Sequence, residues 1–289
     1  MRLRHRASRK HKRVARRRRS ATRRQRGGNV AAPELKYEHP GAEIKMFTSS
    51  DRMEPTLEAL LASTKRHNYS YEVLGFGKPW KGFKTKMENY LEGIHRYAKE
   101  KGPTAIAIFV DAFDVFCIKD AAKQLAAYKV KPRKMPISVG VEIICFYEEN
   151  CSMDALKWYD DNKIPGGSAQ IKAALFKPDP SRPYYESPTS VFLNSGFIMG
   201  PASELQAMFQ SMMDSGDTDD QIAVINYMLK APGKVDYDME EALIRNKLKP
   251  RTRLPDEDGD KGPGFLHFPG TRTKEEQAKN VAEYYRQYQ

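Results

Sequence analysis

The chain has 289 residues, of which 40% are hydrophobic, so it is long enough for one large domain or two small ones with a packed core. Its apolar runs are too short to cross a bilayer, and no apolar stretch follows the basic N-terminus as in a signal peptide. The three cysteines have neither zinc-ligand spacing nor the count of a disulfide scaffold. We therefore expect an intracellular, cytoplasmic protein without a membrane span.

The positive charge is concentrated at the N-terminus. Residues 1–28 contain 14 Lys or Arg and no acid, and the remainder has 35 basic against 37 acidic residues, so the overall net charge of +12 becomes −2. Such a segment cannot bury enough apolar surface to offset its ordering entropy. The sequence therefore predicts a disordered Arg-rich tail over residues 1–32, followed by a single domain over residues 33–289.

Several roles for this tail stay open. A polycation binds nucleic acid or another polyanion by counterion release, without sequence preference. It can also serve as a nuclear address, hold the protein on an anionic surface or in a virion, or act as an organelle transit peptide. The plain alternative is a solubilising tail without a dedicated partner. The sequence leaves the oligomeric state open.

In the first half of the domain, apolar runs alternate with helical patterns. The order strand, helix, strand, loop, helix, strand is the opening of an α/β sheet. Ser49, Ser50 and Asp51 are candidate N-caps for the first helix. These elements are predicted over residues 44–48, 54–65, 71–74, 85–99 and 105–110.

The second half continues the pattern around a long irregular stretch. Residues 148–188 are rich in Pro, Gly, Tyr and acids, which is typical of an insertion or a lid. Asn194-Ser195-Gly196 interrupts the apolar run 190–200, and a glycine there indicates a bulge or the close approach of a ligand. Helices are predicted over 120–128, 203–213 with Ser203 as N-cap, 217–229 and 274–285, and strands over 136–144 and 234–237.

Two carboxylates, Asp111 and Asp114, follow the apolar run 105–110 directly. Open α/β sheets bind their ligands just past the carboxyl ends of such strands, so this position is typical of a metal site. On this stretch alone, the favoured interpretation is that the acids cap the next helix or turn, and only the motifs downstream shift it toward a metal site.

Four short motifs occur in order along the chain: DAFD at 111–114, FLNSG at 192–196, DDQ at 219–221 and HFPG at 267–270. In this order, from about residue 44 to 274, the chain resembles the glycosyltransferase domain of procollagen lysyl hydroxylases and the collagen galactosyltransferases. These are nucleotide-sugar transferases of GT-A fold. The resemblance implies an α/β fold with a Rossmann-type mixed sheet flanked by helices. A free-standing domain with an Arg-rich tail favours a viral or microbial source.

The resemblance also implies a metal and nucleotide site. Asp111, Asp114 and His267 match the family's metal ligands, for Mn²⁺ first and Mg²⁺ second, since the shell is mostly hard oxygen. The donor is expected to be UDP-glucose or UDP-galactose. The matching nucleotide-binding positions are Thr48 and Ser49 for base and ribose, Phe113 for the uridine ring, Lys86 or secondly Lys84 for phosphate, and Gly270 with Lys274 over the diphosphate.

Around the transferred sugar, the resemblance places Asn194 and the acids of DDQ. Asp220 is assigned to donor-sugar binding or cation stabilisation, with Asp219 as the near-equal alternative. The alternative interpretation is purely structural: acidic residues at the N-terminus of a helix interact favourably with the positive end of the helix dipole. Glu142, Cys145 and Phe146 match an acceptor-side loop. At the diphosphate, Phe268-Pro269 departs from the family pattern His-Gly-Asn-Gly.

Two functions are compared on this basis. The first is a metal-dependent UDP-sugar glycosyltransferase, retaining by resemblance, that acts on a hydroxyl acceptor such as hydroxylysine in collagen-like repeats or another glycan. The second is a nucleic-acid-binding or packaging protein that acts through its tail, with an inert α/β scaffold. A metal-dependent phosphohydrolase is a distant third, because no second acid cluster can be placed.

Overall fold

The computed structural model describes residues 34–131, 135–145, 156–158, 160–161, 185–186, 190–246, 262–269, 279 and 282–283. The chain divides into two units, Met1–Pro33 and Glu34–Gln289, and the described residues belong to the second. The predicted tail, Gly270 and Lys274 lie outside the described residues, as do most of the irregular stretch 148–188 and of the last predicted helix.

Strands and helices alternate through most of the second unit. The strands are β1 (Lys36–Tyr37), β2 (Ile44–Ser49), β3 (Ser70–Leu74), β4 (Ile106–Val110), β5 (Val115–Cys117), β6 (Ile137–Glu142), β7 (Ile144–Cys145), β8 (Tyr185–Glu186), β9 (Phe192–Pro201), β10 (Val235–Tyr237), β11 (Ile244–Asn246) and β12 (Phe265–His267). The longer helices within the described residues are α1 (Pro55–Arg66), α2 (Phe83–Lys101), α3 (Ala121–Lys129), α4 (Ala202–Ser215) and α5 (Asp220–Lys230).

The main sheet has seven strands in the order β1-β3-β2-β4-β9-β6-β10. Strands β3, β2 and β4 are parallel to one another, β9 runs antiparallel to both β4 and β6, and β10 is parallel to β6. This mixed sheet flanked by helices confirms the predicted α/β class. The carboxyl ends of β2 and β4 lie at one edge, where the site is found.

Both faces of the sheet are covered, which explains the continuous apolar run in β4. Ala107 and Phe109 pack in one core with α2, α4 and α5, whereas Ile108 and Val110 face a second core with α1 and α3. Helix α2 is bounded by Gly82 and Gly102, both at φ +96°, a conformation that favours glycine.

A smaller sheet, β11-β12-β5, packs on the α1 and α3 side. Strand β5 pairs antiparallel with β12, so that His267 lies opposite Val115, and β12 pairs parallel with β11, so that Asn246 lies opposite His267. This sheet brings the C-terminal part of the chain to the DAFD segment.

The structure corrects several details of the sequence-based prediction. The N-cap residue of helix α1 is Glu54, not Ser49, Ser50 or Asp51, and it makes no side-chain cap. Helix α4 begins after Pro201, so Ser203 lies inside it. The predicted strand 136–144 is divided into β6 and β7. Strands β1, β5, β8, β11 and β12 were not predicted, because segments of two or three residues carry little periodic signal.

Of the helices within the described residues, none combines the length and the apolar character needed to traverse a bilayer.

Candidate active site

The two acids of DAFD lie on the short connection between the main and the small sheet. The backbone N–H of Asp111 donates to the carbonyl of Gly196 on β9 at 3.1 Å. The carbonyl of Asp114 accepts from the N–H of Phe268 at 2.8 Å. Hydrogen bonds from β9 and from the end of β12 therefore position the two carboxylates.

His267 completes a cluster with these acids. Its Nε2 lies 3.4 Å from Oδ2 of Asp114 and 3.8 Å from Oδ2 of Asp111. One ligand atom from each residue lies within 4.8 Å of the other two. Nε2 is buried and has no hydrogen-bond partner among the described residues. A buried nitrogen that faces two carboxylates in this way fits a bound cation.

The electrostatics of His267 agree with this fit. Burial disfavours the charged imidazolium, but the carboxylates of Asp114 and Asp111 outweigh it, and the pKa of His267 is raised. The cluster therefore stabilises positive charge at the nitrogen that faces the acids.

Lys86 joins this cluster to helix α5. Its buried Nζ donates to Oδ1 of Asp111 and to Oδ2 of Asp220, the latter at 2.5 Å. Oδ2 of Asp220 also accepts from the hydroxyl of Ser195 at 3.0 Å. Burial acts to lower the pKa of Lys86, but the two carboxylates hold it well above its usual range. Lys86 is therefore a charged group within the site.

The structure separates the paired alternatives from the sequence. Asp219 is the N-cap of α5, and its Oδ1 accepts from the N–H groups of Gln221 and Ile222 at 3.0 and 3.1 Å. Asp220 is buried against Lys86. Lys84 is exposed on the outer side of α2. Asp220 and Lys86 are thus the members of each pair that lie in the cluster.

Asn194 and Glu142 form a second buried pair where β9 and β6 shift register. The amide Nδ2 of Asn194 donates to Oε1 of Glu142 at 3.0 Å, and its Oδ1 accepts from the N–H of Gly196 at 2.9 Å. Burial raises the pKa of Glu142 to about 7. The break in the apolar pattern thus marks a strand irregularity.

A cleft of about 420 Å³ opens beside the acids. Phe113 lines it, with the Arg52 guanidinium 5.4 Å from its ring centroid, and Trp80 and Phe83 are exposed at 40% and 48%. The cleft is lined by Ser49, Ser50, Asp51, Arg52, Trp80, Phe83, Lys86, Asp111, Ala112, Phe113 and Asp114.

Of the two residues at the end of β2 that were expected to bind base and ribose, only one lines the cleft. Ser49 lines the cleft and its Oγ accepts from Nδ2 of Asn89 at 2.8 Å. Thr48 is fully buried, its hydroxyl donates to the carbonyl of Val110 at 2.9 Å, and it is not among the residues that line the cleft. Thr48 therefore contacts the neighbouring strand.

Two residues next to His267 were not identified as parts of the site from the sequence. Oδ1 of Asn246 lies 2.7 Å from Nδ1 of His267. A Cβ added to Gly196 would lie 2.3 Å from Cε1 of the same ring, so only glycine leaves room for the imidazole. The glycine was noted as a sign of close approach, but Asn246 gave no signal because its role depends on the pairing of β11 with β12.

Comparisons with solved structures show similarities at low sequence identity. No family model matches the chain, and no curated protein matches it. Among solved structures, a glycosyltransferase involved in the glycosylation of the major capsid of PBCV-1 is similar at TM-score 0.48 and 13% identity, covering 83% of this chain and 98% of its own. The apo form of mouse xyloside xylosyltransferase 1 is similar at TM-score 0.41 and 11% identity, covering 80% and 97%. At these scores neither similarity carries an argument about activity.

Proposed function

We propose that this chain is a metal-dependent glycosyltransferase that moves glucose or galactose from a UDP-sugar to a hydroxyl acceptor. The observation that carries the proposal is that His267, from near the C-terminal end of the sequence, meets Asp111 and Asp114 of the DAFD motif at the carboxyl edge of the sheet. The motif order that resembles the procollagen lysyl hydroxylase and collagen galactosyltransferase domains supports the same reaction.

The ligand set matches the chemistry of a departing diphosphate. With two carboxylates and one imidazole from the protein and oxygen atoms from the diphosphate, the coordination shell of the metal would be mostly oxygen. Such a shell suits Mn²⁺ better than Zn²⁺, with Mg²⁺ as second choice. When bound there, the cation would supply Lewis-acid stabilisation of the diphosphate leaving group. Lys86, a charged and buried residue in the lining of the cleft, would add a fixed positive group near the same phosphates.

The other residues would position the donor and acceptor. Ser49 and Phe113 line the cleft where the nucleoside would lie. Asp220 and Asn194, both buried, would face the sugar from the inner side of the site. Hydroxylysine in collagen-like repeats or another glycan hydroxyl is the proposed acceptor, with retention at the anomeric carbon. Holding the donor and the acceptor in a fixed relative orientation lowers the entropic part of the activation free energy.

UDP release from UDP-glucose and UDP-galactose in the presence of Mn²⁺ tests this function. We expect Mn²⁺-dependent release from at least one donor, and we expect Asp114→Ala to abolish metal-dependent donor binding while its circular dichroism spectrum stays that of wild type. No release from either donor, or equal donor affinity in Asp114→Ala, would contradict the proposal.

The N-terminal segment favours a second candidate function, binding to a polyanion such as nucleic acid. The supporting observation is that residues 1–28 contain 14 basic residues and no acidic residue. The two functions are compatible, since one depends on the tail and the other on the folded unit.

A further inference from the structure

We propose that Asn246 is a positioning residue that sets the tautomer and orientation of His267 for metal binding. This inference rests on the metal site of the proposed function. It concerns a residue that does not contact the metal itself and acts only through the ring of His267.

The hydrogen bonds of Asn246 fix which way its amide points. Nδ2 of Asn246 donates to the carbonyl of Val141 at 2.6 Å. A carbonyl can only accept, so the NH₂ group must face Val141 and the amide oxygen must face His267. That oxygen lies 2.7 Å from Nδ1 of the imidazole.

An amide oxygen is also only an acceptor, so Nδ1 of His267 must carry a proton. In the neutral ring the lone pair then lies on Nε2, the nitrogen that faces Asp114 at 3.4 Å and Asp111 at 3.8 Å. A metal ion binds a nitrogen lone pair, so this tautomer is ready to coordinate.

Strand pairing and packing hold the ring in this orientation. Asn246 lies opposite His267 in the parallel pair of β11 and β12. Gly196, on strand β9 of the main sheet, lies against the ring, and a Cβ added to this glycine would lie 2.3 Å from Cε1 of His267. Without the acceptor on Asn246, the competing tautomer would carry its proton on Nε2 and donate toward Asp114. The lone pair would then point away from the acids.

Three variants separate this role from a structural one. Asn246→Ala removes both the acceptor and the bond to Val141, whereas Asn246→Asp keeps an acceptor for Nδ1 but also loses the donation to Val141. Asn226→Ala is the matched control, because it removes a hydrogen bond from α5 to Asp217 and leaves the contacts of Asn246 and His267 unchanged. Mn²⁺ affinity is measured by the electron paramagnetic resonance of the free ion. The ¹⁵N shifts of His267 in metal-free protein at alkaline pH report its tautomer.

We expect Asn246→Ala to weaken Mn²⁺ binding by about 10–100-fold, as is typical for a lost outer-shell partner. Its His267 should shift toward the form with a proton on Nε2. Asn246→Asp should stay close to wild type in both readouts, and Asn226→Ala should match wild type. Equal Mn²⁺ affinity in Asn246→Ala and wild type would overturn the inference. Equal losses in the Ala and Asp variants would also overturn it, because the bond to Val141 would then explain both.

The same measurements distinguish failure of the inference from failure of the proposed function. If wild type does not bind Mn²⁺, the metal site and the role of Asn246 both fall. If Mn²⁺ binds, the variants follow the expected order and no UDP is released, only the glycosyltransferase proposal falls.

Discussion

Lys86 provides the positive charge for two carboxylates that come from different elements. Asp111 follows β4 and Asp220 begins α5, and both accept from the same buried ammonium group. Removing one member of a buried charge pair leaves the other uncompensated, which costs far more than losing a surface ion pair.

We predict that Lys86→Met lowers the free energy of unfolding of the metal-free protein by about 3–5 kcal/mol, because Asp111 and Asp220 then lose the buried ammonium group to which both are hydrogen-bonded. Urea denaturation in the presence of a chelator measures the change. Lys84→Met, an exposed lysine on the same helix, is the matched control and should change stability by no more than about 0.5 kcal/mol. Equal stabilities of the two variants would show that Lys86 has no such role.

Glu142 makes the stability of the protein depend on pH. Its pKa is about 7 in the folded state against 4.5 ordinarily, because burial disfavours the carboxylate. Between these values the folded state binds more protons than the unfolded state, so this residue's contribution to stability falls as the pH rises through this window.

Glu142→Gln should remove that dependence. Relative to wild type, the variant should gain up to about 3 kcal/mol of unfolding free energy between pH 4.5 and pH 7, from about 1.36 kcal/mol per pH unit. Denaturation curves of both proteins across this range measure the difference. Burial also raises the pKa of Asp238, to about 6, but its effect on the pH dependence of stability is the same in both proteins and cancels in the difference. If the difference in unfolding free energy between the two proteins stayed constant across this pH range, the raised pKa of Glu142 would be refuted.

At the scale of elements, short strands and a helix start arrange the site. Strands β5 and β12 have three residues each, yet their register places His267 opposite Val115, directly after Asp114. Helix α5 begins at the site because Asp219 caps it and leaves Asp220 in the first turn, directed at Lys86.

We predict that Asp219→Ala destabilises the protein by about 1 kcal/mol, because two N–H groups at the start of α5 lose their acceptor. Asp219→Asn should retain most of the stability, since asparagine caps helices about as well as aspartate. Thermal and urea denaturation of both variants provide the measurement. If the Asn variant is as unstable as the Ala variant, the charge of Asp219 matters rather than its capping geometry.

At the scale of the whole chain, the charge divides between two units with different chemistry. The basic residues of 1–28 account for the overall excess of +12, whereas the remainder is nearly neutral with a net charge of −2. Association of such a segment with a polyanion releases counterions, so its affinity falls steeply with salt.

Deletion of residues 1–32 should therefore abolish salt-sensitive binding to duplex DNA and leave Mn²⁺-dependent UDP release unchanged. Fluorescence anisotropy at several salt concentrations measures the first effect, and the UDP assay measures the second. DNA binding by the truncated protein with an unchanged salt slope would place the interaction on the folded unit instead.

Local patterns were sufficient for the longer elements and for the acids at the end of β4. The apolar run 105–110 and the helical spacing of 85–99 were predicted close to the observed Ile106–Val110 and Phe83–Lys101. These signals arise from residues near one another in the sequence, where periodicity and capping act directly. The α/β class follows from the same alternation.

Only the tertiary structure decided how these side chains meet. The sequence resemblance grouped His267 with Asp111 and Asp114, but it gave neither the partner Asn246 nor the pairing of β12 with β5 and β11 that joins these residues. Strands of three residues carry no pattern that specifies their partners. The same holds for Asp219 against Asp220, and for Thr48, whose hydroxyl contacts Val110 instead of the cleft. In the strands these outcomes depend on register, because a shift of one residue reverses the face, and at the start of α5 they depend on which residue is the N-cap.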